Sequence, residues 1–168
     1  MSGLHFHPLR VQAVRADTDD AMVVSFEVPD SLRSTFAFQP GQYLTLRHVH
    51  EGQDLRRSYS ICAAAGEGLR VGVRKVPGGV FSTWLHQALK AGDTIEVMEP
   101  QGRFGAAVSQ PADGRHVLCV AGGSGITPIL AIVKTVLAQE PGSRVTLLYG
   151  NRNAASTMFK EELEDLKN

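Results

Sequence analysis

Short apolar runs with interleaved polar residues dominate the N-terminal part of the chain and predict β structure. Leu9–Arg15, Ala21–Val28, Tyr43–Val49, Ser58–Ala63, Leu69–Lys75 and Thr94–Met98 are each short and rich in β-branched or aromatic residues. Turn chemistry such as Pro40-Gly41 and Ala91-Gly92-Asp93 separates them. Strands at this spacing predict an antiparallel barrel or sandwich. The period changes at Val80–Leu89, where Phe81, Trp84, Leu85 and Leu89 make one apolar face of a helix.

Beyond a loop-like stretch, Gly105–Arg115, the pattern becomes that of α/β structure. Val117–Ala121 is a continuous apolar run, as expected of a strand covered on both faces. A glycine loop and a helix over Pro128–Ala138 follow, then a second buried strand, Val145–Tyr149, and a second helix, Ser156–Leu166. In that last helix Phe159, Leu163 and Leu166 share a face at i, i+4 and i+7. The fold class expected is β + α/β, an antiparallel barrel followed by a partial doubly wound unit, with residues 1–108 divided from 109–168.

Composition narrows the function classes. Lys plus Arg and Asp plus Glu both number 17, so the chain has no net field to gather nucleic acid or an anionic membrane surface. No stretch approaches the roughly 20 apolar residues of a bilayer span. Met1–Arg10 carries two histidines and a proline where a secretion signal needs an apolar run. A cytoplasmic location is expected. The two cysteines, Cys62 and Cys119, lie in strand-like runs and read as buried thiols, without the close spacing of a cluster or zinc site. The alternate pairs His5/His7 and His48/His50 lack a completing carboxylate or cysteine, so no metal site is expected.

Three segments carry chemistry. Gly122-Gly123-Ser124-Gly125-Ile126-Thr127-Pro128 lies between a buried strand and a helix. There, glycines admit a dinucleotide pyrophosphate and free N–H groups at the helix start face the anion. Gly78-Gly79-Val80-Phe81-Ser82 is a second glycine loop entering a helix, with Ser82 as an extra donor. Taken alone it is equally a capped helix after a tight turn. Arg57-Ser58-Tyr59-Ser60 offers a guanidinium fork for phosphate, a flat ring on the same side and a small donor. After the second α/β strand comes Gly150-Asn151-Arg152, without the acidic residue that holds a ribose 2′-OH, so Arg152 favours NADPH over NADH.

Arg57-x-Tyr59-Ser60, Gly79-x-x-Ser82 and Gly123-x-Gly125-x-x-Pro128, in that order and with Pro40-Gly41-Gln42-Tyr43, resemble the ferredoxin–NADP reductase family over essentially the whole chain. Leu55–Cys62, Glu96–Gly102 and Tyr149–Arg152 are similar, within that family, to reductase subunits of phenylacetyl-CoA epoxidase systems of phenylacetate degradation. Ser58 stands where a cysteine is expected in them.

The resemblance implies a flavin-binding barrel followed by a nicotinamide-nucleotide domain. It implies that Arg57 contacts the FAD pyrophosphate, Tyr59 stacks on the isoalloxazine and Ser60 hydrogen-bonds near flavin N5, Tyr59 and Ser60 being the catalytic pair. Val73, Lys75, Gly78, Gly79, Val80, Phe81 and Ser82 would hold the rest of FAD. Gly123, Ser124, Gly125, Thr127, Pro128 and Arg152 would hold NADP. Electrons would pass from NADPH through FAD to an iron–sulfur centre and an oxygenase.

The family's later nicotinamide-proximal segments are missing, as is a ferredoxin domain, so the 2Fe-2S cluster is expected only in a C-terminal part beyond this chain. The chain alone is expected to turn over poorly and to present an unpaired sheet edge at Val117–Ala121, which would either pair two copies as a homodimer or leave the segment after about Gly114 poorly ordered. A flavin-binding fragment without turnover, or the reductase module of another oxygenase or a flavohaemoglobin, are the alternative readings.

Overall fold

The computed structural model describes residues 5–167. Six strands, β1 (Phe6–Thr18), β2 (Ala21–Glu27), β3 (Tyr43–His50), β4 (Gln53–Ser60), β5 (Arg70–Arg74) and β6 (Thr94–Met98), form one antiparallel sheet in the order β4-β3-β6-β1-β2-β5. Period-two alternation sets its faces: Leu44 and Leu46 of β3, and Val71 and Val73 of β5, are fully buried in one core. In β2 the run Ala21-Met22-Val23-Val24 is buried at every position. Met22 and Val24 enter the core of this sheet, whereas Ala21 and Val23 belong to a second core on its other face.

The expected barrel is not formed. The sheet is open, with β4 and β5 as its edges, and they share no ladder; the backbone bridge between the two sides lies past the end of β4. There Ile61 bridges Val71, and the Cys62 N–H donates to Arg70 O at 3.0 Å. Closure needs a continuous ladder between the edge strands, but β4 ends at Ser60 and a single bridge, Ile61 to Val71, stands in its place. Helix α1 (Val80–Ala88) supplies cover instead, burying Phe81 and Leu85 in the same core.

The C-terminal part is a parallel pair, β7 (His116–Gly122) and β8 (Arg144–Gly150), joined by α2 (Ile126–Gln139), with α3 (Lys160–Asp165) after it. The apolar run of β7 is covered on one face only: Cys119 and Ala121 pack on α2, whereas Leu118 is 64% and Val120 67% exposed. Both helices cover that same face, so the expectation of two covered faces fails among the described residues. The last helix is also shorter than periodicity predicts. Ala154–Ser156 is a 3-10 turn, and Phe159 adopts a left-handed backbone conformation, φ 58°, just before α3.

The two parts are welded together. Arg70 pairs with Glu162, and Lys134 reaches both Glu162 and Glu67 at 2.7 Å. The Ala65 N–H donates to Thr135 Oγ1 at 3.1 Å. Cys62 and Cys119 are free, buried thiols of the second core, and burial pushes the Cys62 thiol up to about 12.

Candidate flavin and nucleotide site

On the β4 side, register places Tyr59 opposite Leu44 and Arg57 opposite Leu46, so Arg57 and Tyr59 share the face that looks into the sheet's core. Arg57 lies at its solvent margin, with Nη1 donating to Arg56 O at 2.7 Å. Tyr59 is half-buried, its ring 6.2 Å from that of Phe81, and burial pushes its phenol up to about 12. Ser60, at the end of β4, is half-buried; it alternates with Tyr59 and lies on the side of Ser58, whose hydroxyl bonds Thr45 Oγ1 at 2.9 Å.

The loop into α1 turns at Gly78, φ 72°, a conformation that glycine adopts without strain and where a side chain would meet open space. Gly79 caps the helix with no side-chain partner, leaving first-turn N–H groups free for an acceptor. Val80, at the helix start, is 52% exposed, while Phe81 is buried. The Ser82 hydroxyl is already engaged: it accepts from the Val76 N–H at 3.0 Å and lies 3.5 Å from Gly79 O. Val73 is fully buried, its carbonyl 3.2 Å from His86 Nε2, and the Lys75 N–H donates to Asp20 O at 2.7 Å.

On the other side, Gly123 bends at φ 51° at the end of β7 and Gly125 precedes α2. A Cβ on Gly122 or Gly125 would meet nothing within 4 Å, so the loop backbone is open to a ligand. Pro128 is the third residue of α2, where its missing N–H removes no intrahelical bond. Thr127 is buried and its hydroxyl donates to Ser124 O at 2.7 Å, bracing the loop. The Tyr149 hydroxyl lies 3.2 Å from Gly123 O and 3.3 Å from Met158 O.

One cleft of about 1270 Å³ joins the two sides, bringing Tyr59, Ser60 and Lys75 together with Gly123, Ser124, Thr127 and Arg152. Arg57, Val73, the Gly78–Ser82 loop, Gly125 and Pro128 lie outside that cleft's lining. Several residues that sequence reasoning gave no role also line it, Arg74 and Asn151 among them. Arg74 Nη2 donates to Ser156 O, while its Nε is buried without a hydrogen-bond partner, 3.6 Å from Asp20 Oδ1. Asn151 Oδ1 is also buried and unpaired. Their sequence signals, a basic residue beside Lys75 and the residue before Arg152, were within sight of the predicted sites. A flat half-buried ring, open glycine backbones, free helix-start N–H groups and unpaired polar atoms suit a flavin and a dinucleotide.

The fold and cleft are those of an oxidoreductase module with a flavin part and a nicotinamide-nucleotide part. The chain belongs to the oxidoreductase FAD-binding domain family, whose model matches residues 8–105, and the oxidoreductase NAD-binding domain model matches residues 119–168. It is 46% identical over 163 residues to a component of the 1,2-phenylacetyl-CoA epoxidase of Escherichia coli, covering 96% of this chain and 46% of that one. Among solved structures, the Amycolatopsis cytochrome P450 reductase GcoB superposes with a TM-score of 0.77 at 31% identity, over 96% of this chain and 48% of that one. Phthalate dioxygenase reductase, described as passing electrons from pyridine nucleotides to a 2Fe-2S centre, gives a TM-score of 0.77 at 27% identity, over 94% and 47%. The chain thus spans about half the length of these relatives.

Proposed function

We propose that this chain is the electron-entry part of an NADPH-oxidising flavin reductase that feeds an iron–sulfur centre and, through it, an oxygenase of the phenylacetyl-CoA epoxidase type. The observation that carries the reading is the shared cleft, in which Tyr59 and Ser60 face Gly123, Ser124, Thr127 and Arg152. FAD, when bound, would supply the hydride-accepting and one-electron chemistry. The chain's own residues bind and orient. Arg57 offers a guanidinium to the FAD pyrophosphate, which the free N–H groups after Gly79 also face. Tyr59 gives the isoalloxazine a flat surface, and Ser60 offers a small donor near N5. Val73, Lys75, Gly78, Val80 and Phe81 shape the remaining FAD wall, with Ser82 fixing the loop.

Across the cleft, Gly123–Pro128 cradles the NADP pyrophosphate and Arg152 faces its 2′-phosphate. Residues 1–108 then serve the flavin and 109–168 the nicotinamide nucleotide. The 2Fe-2S centre belongs to a further part of the system, a reading supported by the modular electron transfer to such a centre described for phthalate dioxygenase reductase. No helix among the described residues is long and apolar enough to cross a membrane, and we place the protein in the cytoplasm. The uncovered face of β7 is our basis for a homodimer.

Anaerobic titration of the FAD-loaded protein tests the reading. NADPH should bleach the flavin at lower concentration than NADH, and Arg152→Ala should remove the difference. Flavin that stays oxidised under saturating NADPH would make the chain a flavin-binding module without turnover.

A further inference from the structure

Phe159 is the one bulky residue among those described that holds a left-handed backbone (φ 58°), the only other non-glycine there being Glu51 in a tight turn. An L-residue with a large side chain adopts that conformation only where its surroundings impose it. Two features impose it here. The ring is buried, with its Cζ 3.0 Å from where a Cβ on Gly72 would lie, so a side chain at that point of β5 would press on it. The Phe159 N–H is clasped by both carboxylate oxygens of Asp17, at 3.1 and 3.2 Å. Asp17 belongs to β1, in the flavin-side sheet, 142 residues away in sequence.

The clasp leads directly to the glycine loop. Met158, fully buried, precedes Phe159, and its carbonyl lies 3.3 Å from the Tyr149 hydroxyl. The same hydroxyl is 3.2 Å from Gly123 O, at the positive-φ turn of the loop. The Met158 carbonyl helps fix where that hydroxyl sits, so displacement of Met158 moves the group that holds Gly123. We infer that Asp17 and Tyr149 are positioning residues that set the Gly123–Pro128 loop for a nucleotide pyrophosphate, Asp17 acting from the flavin-side sheet through Phe159 and Met158. This rests on our reading of that loop as the nicotinamide-nucleotide site. Its consequence is that the flavin sheet and the nucleotide loop are held in fixed relation by a relay of backbone carbonyls, besides the ion pairs around Glu162.

Two readouts on the FAD-loaded chain test the relay. Hydrogen–deuterium exchange at the amides of Gly122–Ile126 follows the loop itself, and calorimetric titration with NADP⁺ follows its use. Asp17→Ala and Tyr149→Phe should each speed exchange there and weaken NADP⁺ binding roughly three- to tenfold, while flavin affinity is unchanged. Tyr149→Phe keeps the buried ring, so it stays informative if Asp17→Ala folds poorly. Because both act through one chain of contacts, the double variant should lose little more than the worse single variant. Multiplying losses, or loop exchange unaltered in Tyr149→Phe, would overturn the relay. Faster loop exchange in both variants of a chain that binds no NADP⁺ at all would instead uphold the mechanical link and overturn the nucleotide reading.

Discussion

Ser82 separates two roles that sequence alone runs together. As a phosphate ligand its hydroxyl would donate to FAD; in the structure it accepts from the Val76 N–H at 3.0 Å and is 4% exposed, bracing the turn before α1. Ser82→Ala removes one neutral hydrogen bond, a net loss of about 1 kcal/mol. For a chain of this size, about 1 kcal/mol lowers the melting temperature by roughly 2–4 °C. Loosening the loop can weaken FAD by no more than the same energy, about fivefold. A lost charge-assisted phosphate contact would cost about 1.5–3 kcal/mol, hence roughly 10- to 100-fold in FAD affinity, and would leave the flavin-free protein as stable as before. Thermal melts of the apoprotein, with fluorescence titration of FAD, separate the two. An unchanged apoprotein melt with a loss of affinity beyond about tenfold would refute the brace.

Arg57→Ala should weaken FAD by roughly 10- to 100-fold, whereas Ser60→Ala should bind FAD nearly normally but be reduced more slowly by NADPH; stopped-flow absorbance and flavin titration compare them, and equal losses of affinity alone would defeat the assignment. Glu140, 1% exposed, is held by Arg115 well below its ordinary value of 4.5, at about 2, with Ser143 assisting. Its folded pKa is depressed, so its stabilisation is full above 4.5 and fades as pH falls toward about 2. The gap in melting temperature between wild type and Glu140→Gln should therefore be widest near neutral pH and shrink at about pH 3, and a constant gap would remove the ion pair from the account. Leu118, Val120 and Leu148, 64%, 67% and 57% exposed, line the uncovered face of the parallel pair. Light scattering should show concentration-dependent association that Val120→Lys suppresses; a monomer at all concentrations would argue against a dimer on this face.

What the sequence made legible is what local periodicity encodes. Alternation reported the inward faces of β3 and β5, and the three motifs reported two glycine turns and an aromatic strand end, because each depends on residues within a few positions of one another. The misses share the opposite cause. β4 begins at Gln53, yet Gln53-Asp54-Leu55-Arg56-Arg57 carries one apolar residue, since the strand is an edge largely open to solvent, so its expected start fell at Ser58. The barrel depended on whether β4 and β5 meet along their length, and pattern records which side of a strand is buried but not which distant strand pairs with it. Val117–Ala121 was an apolar run without alternation, which composition cannot distinguish from a strand covered on both faces; here Leu118 and Val120 are bare.

The start of α3 is the sharpest case. Phe159, Leu163 and Leu166 do carry a helical period, but the helix cannot begin before Lys160 because the Phe159 N–H is held by Asp17 and its backbone turned left-handed. No window around residue 159 contains that instruction, since half of it is written in β1. For the same reason Arg74 escaped notice beside Lys75: its importance comes from Ser156, Gly123 and Asp20 converging on it from three separate elements. The parts of the site that sequence missed are therefore those that join its two halves. A module that must hold two ligands against each other has to fix that junction through long-range contacts, and Asp17 with Phe159 supplies one of them.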